Sequence, residues 1–175
     1  KKYFFFICHS FQMACEHFDL GKITRRKSTS FGVYPIHKTR DGMKDPILMG
    51  LPNPYHAVDS RDWQLIQPRL KAFKEHGAQI LSLEKIRTHV EYERAIMAVR
   101  FSPEFVGTQF HPEADPAGMK DHFSEKKNRD AVIKNFDEKK YEDMMEHLED
   151  PDKIKLTHET ILPHFISESL RSVHH

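Results

Sequence analysis

A chain of 175 residues with 27 Lys+Arg against 26 Asp+Glu has a net charge of +1, which argues against the broad basic face of a nucleic-acid binder. Hydrophobic residues at 38% and charged residues at 30% give the balance of one ordinary globular domain, large enough to bury a core without disulfides or metals. No stretch approaches the roughly 20 apolar residues of a membrane-spanning helix, and the apolar run after Lys1-Lys2 is too short for a secretory signal.

Residues 3–7 read as a short buried strand, and residues 9–19 as a helix ended by Gly21. Residues 22–39 hold strand-like pieces, of which "FGVYPIHKT" is the clearest. Asp41 to Tyr55 is loop-rich, with Gly42, Pro46, Gly50, Pro52 and Pro54. "HAVDSRDWQLI" reads as a strand, a loop and a second strand, and "QPRLKAFKEHG" as a short helical segment closed by Gly77. "AQILSLEK", "RAIMAVRF" and "FVGTQF" then give three strands. Beyond Pro116 the pattern turns helical. Val132, Ile133, Phe136, Tyr141, Met144, Met145 and Leu148 share helical spacing over 124–149, and an amphipathic helix over 157–173 carries Pro163 as a kink or a shifted start. Strands first and helices last predict an α/β domain over 1–123 and a helical extension over 124–175 packed on it.

Two cysteines, Cys8 and Cys15, fall two helical turns apart, about 10 Å, too far for a disulfide. A reducing, cytoplasmic setting is the expectation. His9, Cys15 and His17 cluster near Cys8, but no CxxC pair or HExxH run accompanies them, so neither metal nor cofactor is expected.

The informative stretch is "FFFICHSFQ", residues 4–12. A strand that runs through a sharp turn into a helix exposes the turn residue at the edge of a sheet, which is the geometry of a nucleophile elbow. The helix N-terminus favours the thiolate of Cys8, and the N–H of His9 points to where an oxyanion can form. A second stretch, "GTQFHPE" at 107–113, ends a strand in His111 and follows it with Glu113. His111 is the candidate base and Glu113 its orienter, the logic of a triad with cysteine as nucleophile.

These two stretches resemble the signatures of class I glutamine amidotransferases. "ICHSFQ" is similar to the nucleophile motif G-x-C-x-G-x-Q, and "GTQFHPE" to the motif that ends in His-Pro-Glu. The likeness covers residues 3–123 and is to a GMP synthase-like glutamine amidotransferase domain. It implies a flavodoxin-like open, mostly parallel sheet with helices on both faces. It implies that Cys8 attacks the side-chain amide of L-glutamine or a γ-glutamyl compound, that His111 moves the proton, and that ammonia passes to a separate synthetase or acceptor subunit. Gln12 would hold the substrate or the elbow, and Ser60 falls near the substrate-loop serine. Phe6 and Ser10 stand where the motif has glycines, so the elbow must find room for Phe6. The family places a segment before the nucleophile strand, and this chain opens on that strand, so an N-terminal part of the domain is expected outside it. Two alternatives stay open: a related cysteine hydrolase of the γ-glutamyl hydrolase or DJ-1/PfpI-like kind, and a non-catalytic relative that binds a partner through its helical tail.

Overall fold

The computed structural model describes residues 1–86 and 93–173. Six strands, β1 (Phe4–Ile7), β2 (Lys22–Lys38), β3 (Tyr55–Ile66), β4 (Gln79–Glu84), β5 (Ile96–Arg100) and β6 (Phe105–Thr108), form one sheet in the order β1-β6-β5-β4-β2-β3. β1 and β6 are parallel, in the register Phe6↔Gly107 and Ile7↔Thr108. The other neighbours are antiparallel.

An α/β architecture is therefore present, but the sheet is mixed rather than mostly parallel. Connection length decides this. Parallel neighbours need a crossover of a dozen or more residues, and only four residues join β5 to β6. β3 lies at the opposite end of the sheet from β1, yet the sheet curls so that Val58 of β3 bridges His111 just beyond β6, with the His111 N–H donating to the Val58 carbonyl at 2.9 Å.

β2 and β3 are each one continuous strand, where the sequence reads as pieces separated by polar loops. The polar residues bond across the pair instead of closing turns. Thr29 Oγ1 donates to Asp62 at 2.5 Å and Ser30 Oγ donates to Asp59 at 2.6 Å, and within β3 the buried Arg61 guanidinium donates to the same Asp59 at 2.9 and 3.1 Å. The register slips between Arg25 and Ser30, so the polar run widens the strand without ending it.

Helices cover both faces. The period of two along β1 sends Phe5 and Phe6 to opposite sides. On the Phe6 side, α1 (His9–His17) and α2 (Leu70–His76) bury Phe11, Cys15, Leu20, Leu65, Phe73, Val99 and Phe101. On the other side, α6 (Leu156–Val173) places Ile161 among Ile36, Leu81, Met97 and Phe110, and its Phe165 ring meets Phe5 edge-on at 5.2 Å. α1 ends earlier than expected, at a left-handed Asp19 rather than at Gly21. Gly77 closes α2 in the left-handed conformation, as the sequence predicts.

The expected helical stretch resolves into α3 (Pro116–Ser124), α4 (Lys126–Asn135) and α5 (Glu138–Glu149). Asp115 caps α3 through the N–H groups of Ala117 and Gly118, and Asp137 caps α5 through that of Lys140 at 2.6 Å. Met144 and Leu148 of α5 pack with Ile154 against Val58, so the helical part leans on the strand that reaches His111. Pro163 lies inside α6, and a kinked segment at Pro151–Lys155, non-helical at Lys153 (φ −107°, ψ −105°), precedes it. No helix is long and apolar enough to cross a membrane among the described residues.

Candidate active site

Cys8 occupies the single residue between β1 and α1, with φ 51° and ψ −103°. A side chain pays for that backbone conformation with strain on the order of 1–3 kcal/mol, so both flanks must hold it. They do. The Cys8 N–H donates to the Thr108 carbonyl at 2.9 Å, and the Cys8 carbonyl accepts from the N–H of Gln12 at 3.1 Å. The hydroxyl of Ser10 accepts from the N–H of Ile7 at 2.8 Å and donates to the Ile7 carbonyl at 3.0 Å. Ser10 thereby ties the turn that a glycine would leave loose.

Phe6 finds its room across the sheet. A Cβ on Gly107 would lie 2.9 Å from both the Cβ and the carbonyl oxygen of Phe6. The missing side chain at 107 is the space that β1 occupies, and the Phe6 ring packs edge-on against Phe101 at 5.6 Å and Phe105 at 6.1 Å. The bulky residue is absorbed into the core, and the elbow forms.

His111 reaches the same edge because β6 runs parallel to β1, so their C-terminal ends coincide. β6 ends at Thr108, earlier than the expected strand, a bend at Gln109 and Phe110 carries the chain to His111, and Glu113 turns back on the imidazole: His111 Nδ1 lies 2.6 Å from Glu113 Oε1. That leaves Nε2 as the ring nitrogen available to Cys8. The interaction with Cys8 first, and the bond to Glu113 second, raise the pKa of His111 to about 10 against the opposing effect of burial. Burial pushes the Glu113 carboxyl upward, but the His111 hydrogen bond and charge outweigh it and hold the group below its usual range.

The other sequence candidates converge here too, with altered parts. From β3, the Ser60 backbone carbonyl accepts from Cys8 Sγ at 3.7 Å, so the contact belongs to the main chain and not to the serine hydroxyl. Gln12 is buried, and its Nε2 donates to the Trp63 carbonyl at 3.3 Å and to Gln109 Oε1 at 3.0 Å. Its amide braces α1 against β3. His9 is exposed at the first position of α1, where a helix leaves its N–H without an intrahelical partner. Cys15 is fully buried, and no group of three or more His, Cys, Asp or Glu is placed to hold a metal ion among the described residues.

Two residues escaped the sequence reading. Gln109 is fully buried and donates from Nε2 to Cys8 Sγ at 3.7 Å. It stands two residues before His111, in the bend that follows β6. His158, from the first turn of α6, contributes a charge interaction that helps keep Glu113 ionised.

A glutamine amidotransferase from Thermotoga maritima superimposes on the chain with a TM-score of 0.65 at 19% sequence identity, over 94% of this chain and 60% of that one. The fold is that of a glutamine amidotransferase domain. The crystal structure of SMU.1228c matches similarly, with a TM-score of 0.62 at 14% identity over 93% of this chain and 61% of that one. The chain thus spans about 60% of the length of these solved structures. No protein-family model matches it, and no curated protein does.

Proposed function

We propose that the chain carries the glutaminase site of a class I glutamine amidotransferase, a cysteine-dependent hydrolase that takes ammonia from L-glutamine. The observation that carries this reading is the strained elbow at Cys8 facing the paired His111 and Glu113. The fold shared with a glutamine amidotransferase supports it.

In this mechanism Cys8 Sγ attacks the amide carbon of the glutamine side chain. The His9 N–H receives part of the charge that gathers on the amide oxygen. Protonated His111 delivers its Nε2 proton to the amide nitrogen, the C–N bond breaks, and ammonia leaves. Neutral His111 then takes a proton from water, whose oxygen attacks the glutamyl thioester. Collapse of that adduct expels the Cys8 thiolate and releases glutamate. Glu113 holds the tautomer with Nδ1–H facing it and so presents Nε2 to the sulfur throughout. Ammonia would pass to an acceptor site on a synthetase partner, in a cytoplasmic setting, and residues 124–175 form a helical extension of the 1–123 domain.

The test is intact mass before and after treatment with a glutamine-mimicking diazoketone, together with glutamine-dependent ammonia release. One adduct that vanishes in Cys8→Ala is the expected result. A folded chain that takes no adduct and releases no ammonia, alone or with a synthetase partner, would overturn the reading.

A further inference from the structure

We propose that Gln109 is a catalytic residue of this site, whose buried amide N–H stabilises the Cys8 thiolate, and that Gln12 is the positioning residue that fixes which end of that amide faces the sulfur. The inference rests on Cys8 being the nucleophile.

The argument is one of donors and acceptors. A carboxamide has an accepting oxygen and a donating nitrogen, and a buried one takes the orientation its neighbours impose. Gln109 Oε1 accepts from Gln12 Nε2 at 3.0 Å, and Gln109 Nε2 faces Cys8 Sγ at 3.7 Å. The opposite orientation would set two amide nitrogens against each other and an oxygen against the sulfur. Gln12 cannot flip to accommodate it, because its second N–H is held by the Trp63 carbonyl at 3.3 Å. The Gln109 backbone is pinned in turn, its N–H donating to the Met97 carbonyl at 2.8 Å. A relay therefore runs one way, from the β3 carbonyl through two amides to the thiol.

His111 and Gln109 offer the sulfur two donors of different kinds. The imidazole must leave the sulfur to protonate the departing ammonia. The carboxamide carries no transferable proton at working pH and stays. It faces the sulfur when the thiolate attacks, and again when the thiolate is expelled from the thioester. Water is kept from this donor, since both Gln109 and Thr108 beside it are fully buried, and a hydrogen bond to a charged group is strongest where water cannot compete.

The experiment measures the rate of Cys8 alkylation by iodoacetamide across pH in the full chain, read by intact mass. Gln109→Leu removes the donor, and Gln109→Glu keeps the shape but turns an oxygen to the sulfur. Each is expected to slow alkylation near neutral pH roughly tenfold or more, with the rates converging on the parent's in strong alkali. Gln12→Leu, which removes the orienting donor without adding charge, should slow it in the same direction, and adding it to Gln109→Leu should change nothing further. If Gln109→Leu does not fold, the isosteric Gln109→Glu decides. A folded Gln109→Glu that reacts at the parental rate overturns the proposal, as does a Gln12→Leu effect that persists undiminished on top of Gln109→Leu. Iodoacetamide needs no glutamine pocket, so this result stands apart from diazoketone labelling: loss of the glutaminase reading would leave the alkylation profiles interpretable.

Discussion

Gly107→Ala tests how the elbow tolerates a phenylalanine. The new Cβ would sit 2.9 Å from the Phe6 Cβ, 2.9 Å from the Phe6 carbonyl oxygen and 3.0 Å from Phe11 Cδ2. Carbon atoms in contact prefer about 3.5–4.0 Å, so β1 must move away from β6 by roughly half an ångström or more. Two of the three obstacles are the backbone oxygen and the first side-chain atom of a strand, which no rotamer change can remove. Overpacking of this kind costs about 1–3 kcal/mol. The displaced strand carries Cys8, whose N–H is anchored to Thr108 next to the substituted residue. Since a misplacement near 1 Å can lower a rate by about a hundredfold, the proposed glutaminase activity should fall at least tenfold. Urea unfolding measures the first effect, and iodoacetamide alkylation with ammonia release the second. A variant within about 0.5 kcal/mol of the parent and equally active would refute the claim that the close approach at 107 is what seats Phe6.

His111 is raised to about 10 from an ordinary 6.5, so the stability it contributes is fully present below pH 6.5 and is lost as pH rises through about 10. The urea midpoint and the ammonia-releasing step should both decline in that upper range. In Glu113→Gln, which removes the second largest cause of the shift, both declines should move to lower pH. Asp45→Asn breaks a part-buried pair in which Arg100 donates to Asp45 at 2.6 and 2.9 Å and to Glu168 of α6 at 3.3 Å. Unfolding should then require about 2–3 kcal/mol less, short of the 3–5 kcal/mol for a fully buried pair because Glu168 remains, while Cys8 alkylation stays at the parental rate. Burial pushes the Cys15 thiol well above its usual range, so iodoacetamide should label one cysteine in the native chain and two in urea, counted by mass.

Cys8, His111 and Glu113 could be singled out as candidates from the chain because each carries a local signal. An apolar strand that stops at a cysteine, and a strand that stops at His-Pro, are statements about neighbours in sequence, and the parallel pair that joins them needs only one register. The long strands β2 and β3 were not legible. Residues 22–39 look like separate pieces and "DSRD" like a loop until Thr29 and Ser30 find Asp62 and Asp59 across the pair, and a cross-strand partner is not visible to a local pattern. The same holds for the sheet's mixed direction, fixed by tight connections such as the four residues between β5 and β6. Gln109 lay inside a recognised motif without a role, because its role depends on Gln12, and the pair is separated by 97 positions. His158 had no signal at all, since only the packing of α6 brings it near Glu113.

The contacts at Cys8 Sγ come from residues 52 and 101 positions away along the chain. Closing loops of that size is entropically costly and slow compared with forming a helix or a hairpin. A polypeptide emerging from the ribosome therefore exposes an unassisted cysteine until His111 has been synthesised and β3 has curled onto it. The thiol's chemistry is deferred to the finished fold. Its reactivity then reports tertiary assembly: a chain clipped within β3, or shorn of β6 and the bend after it, would keep its cysteine and lose the contacts that surround the sulfur.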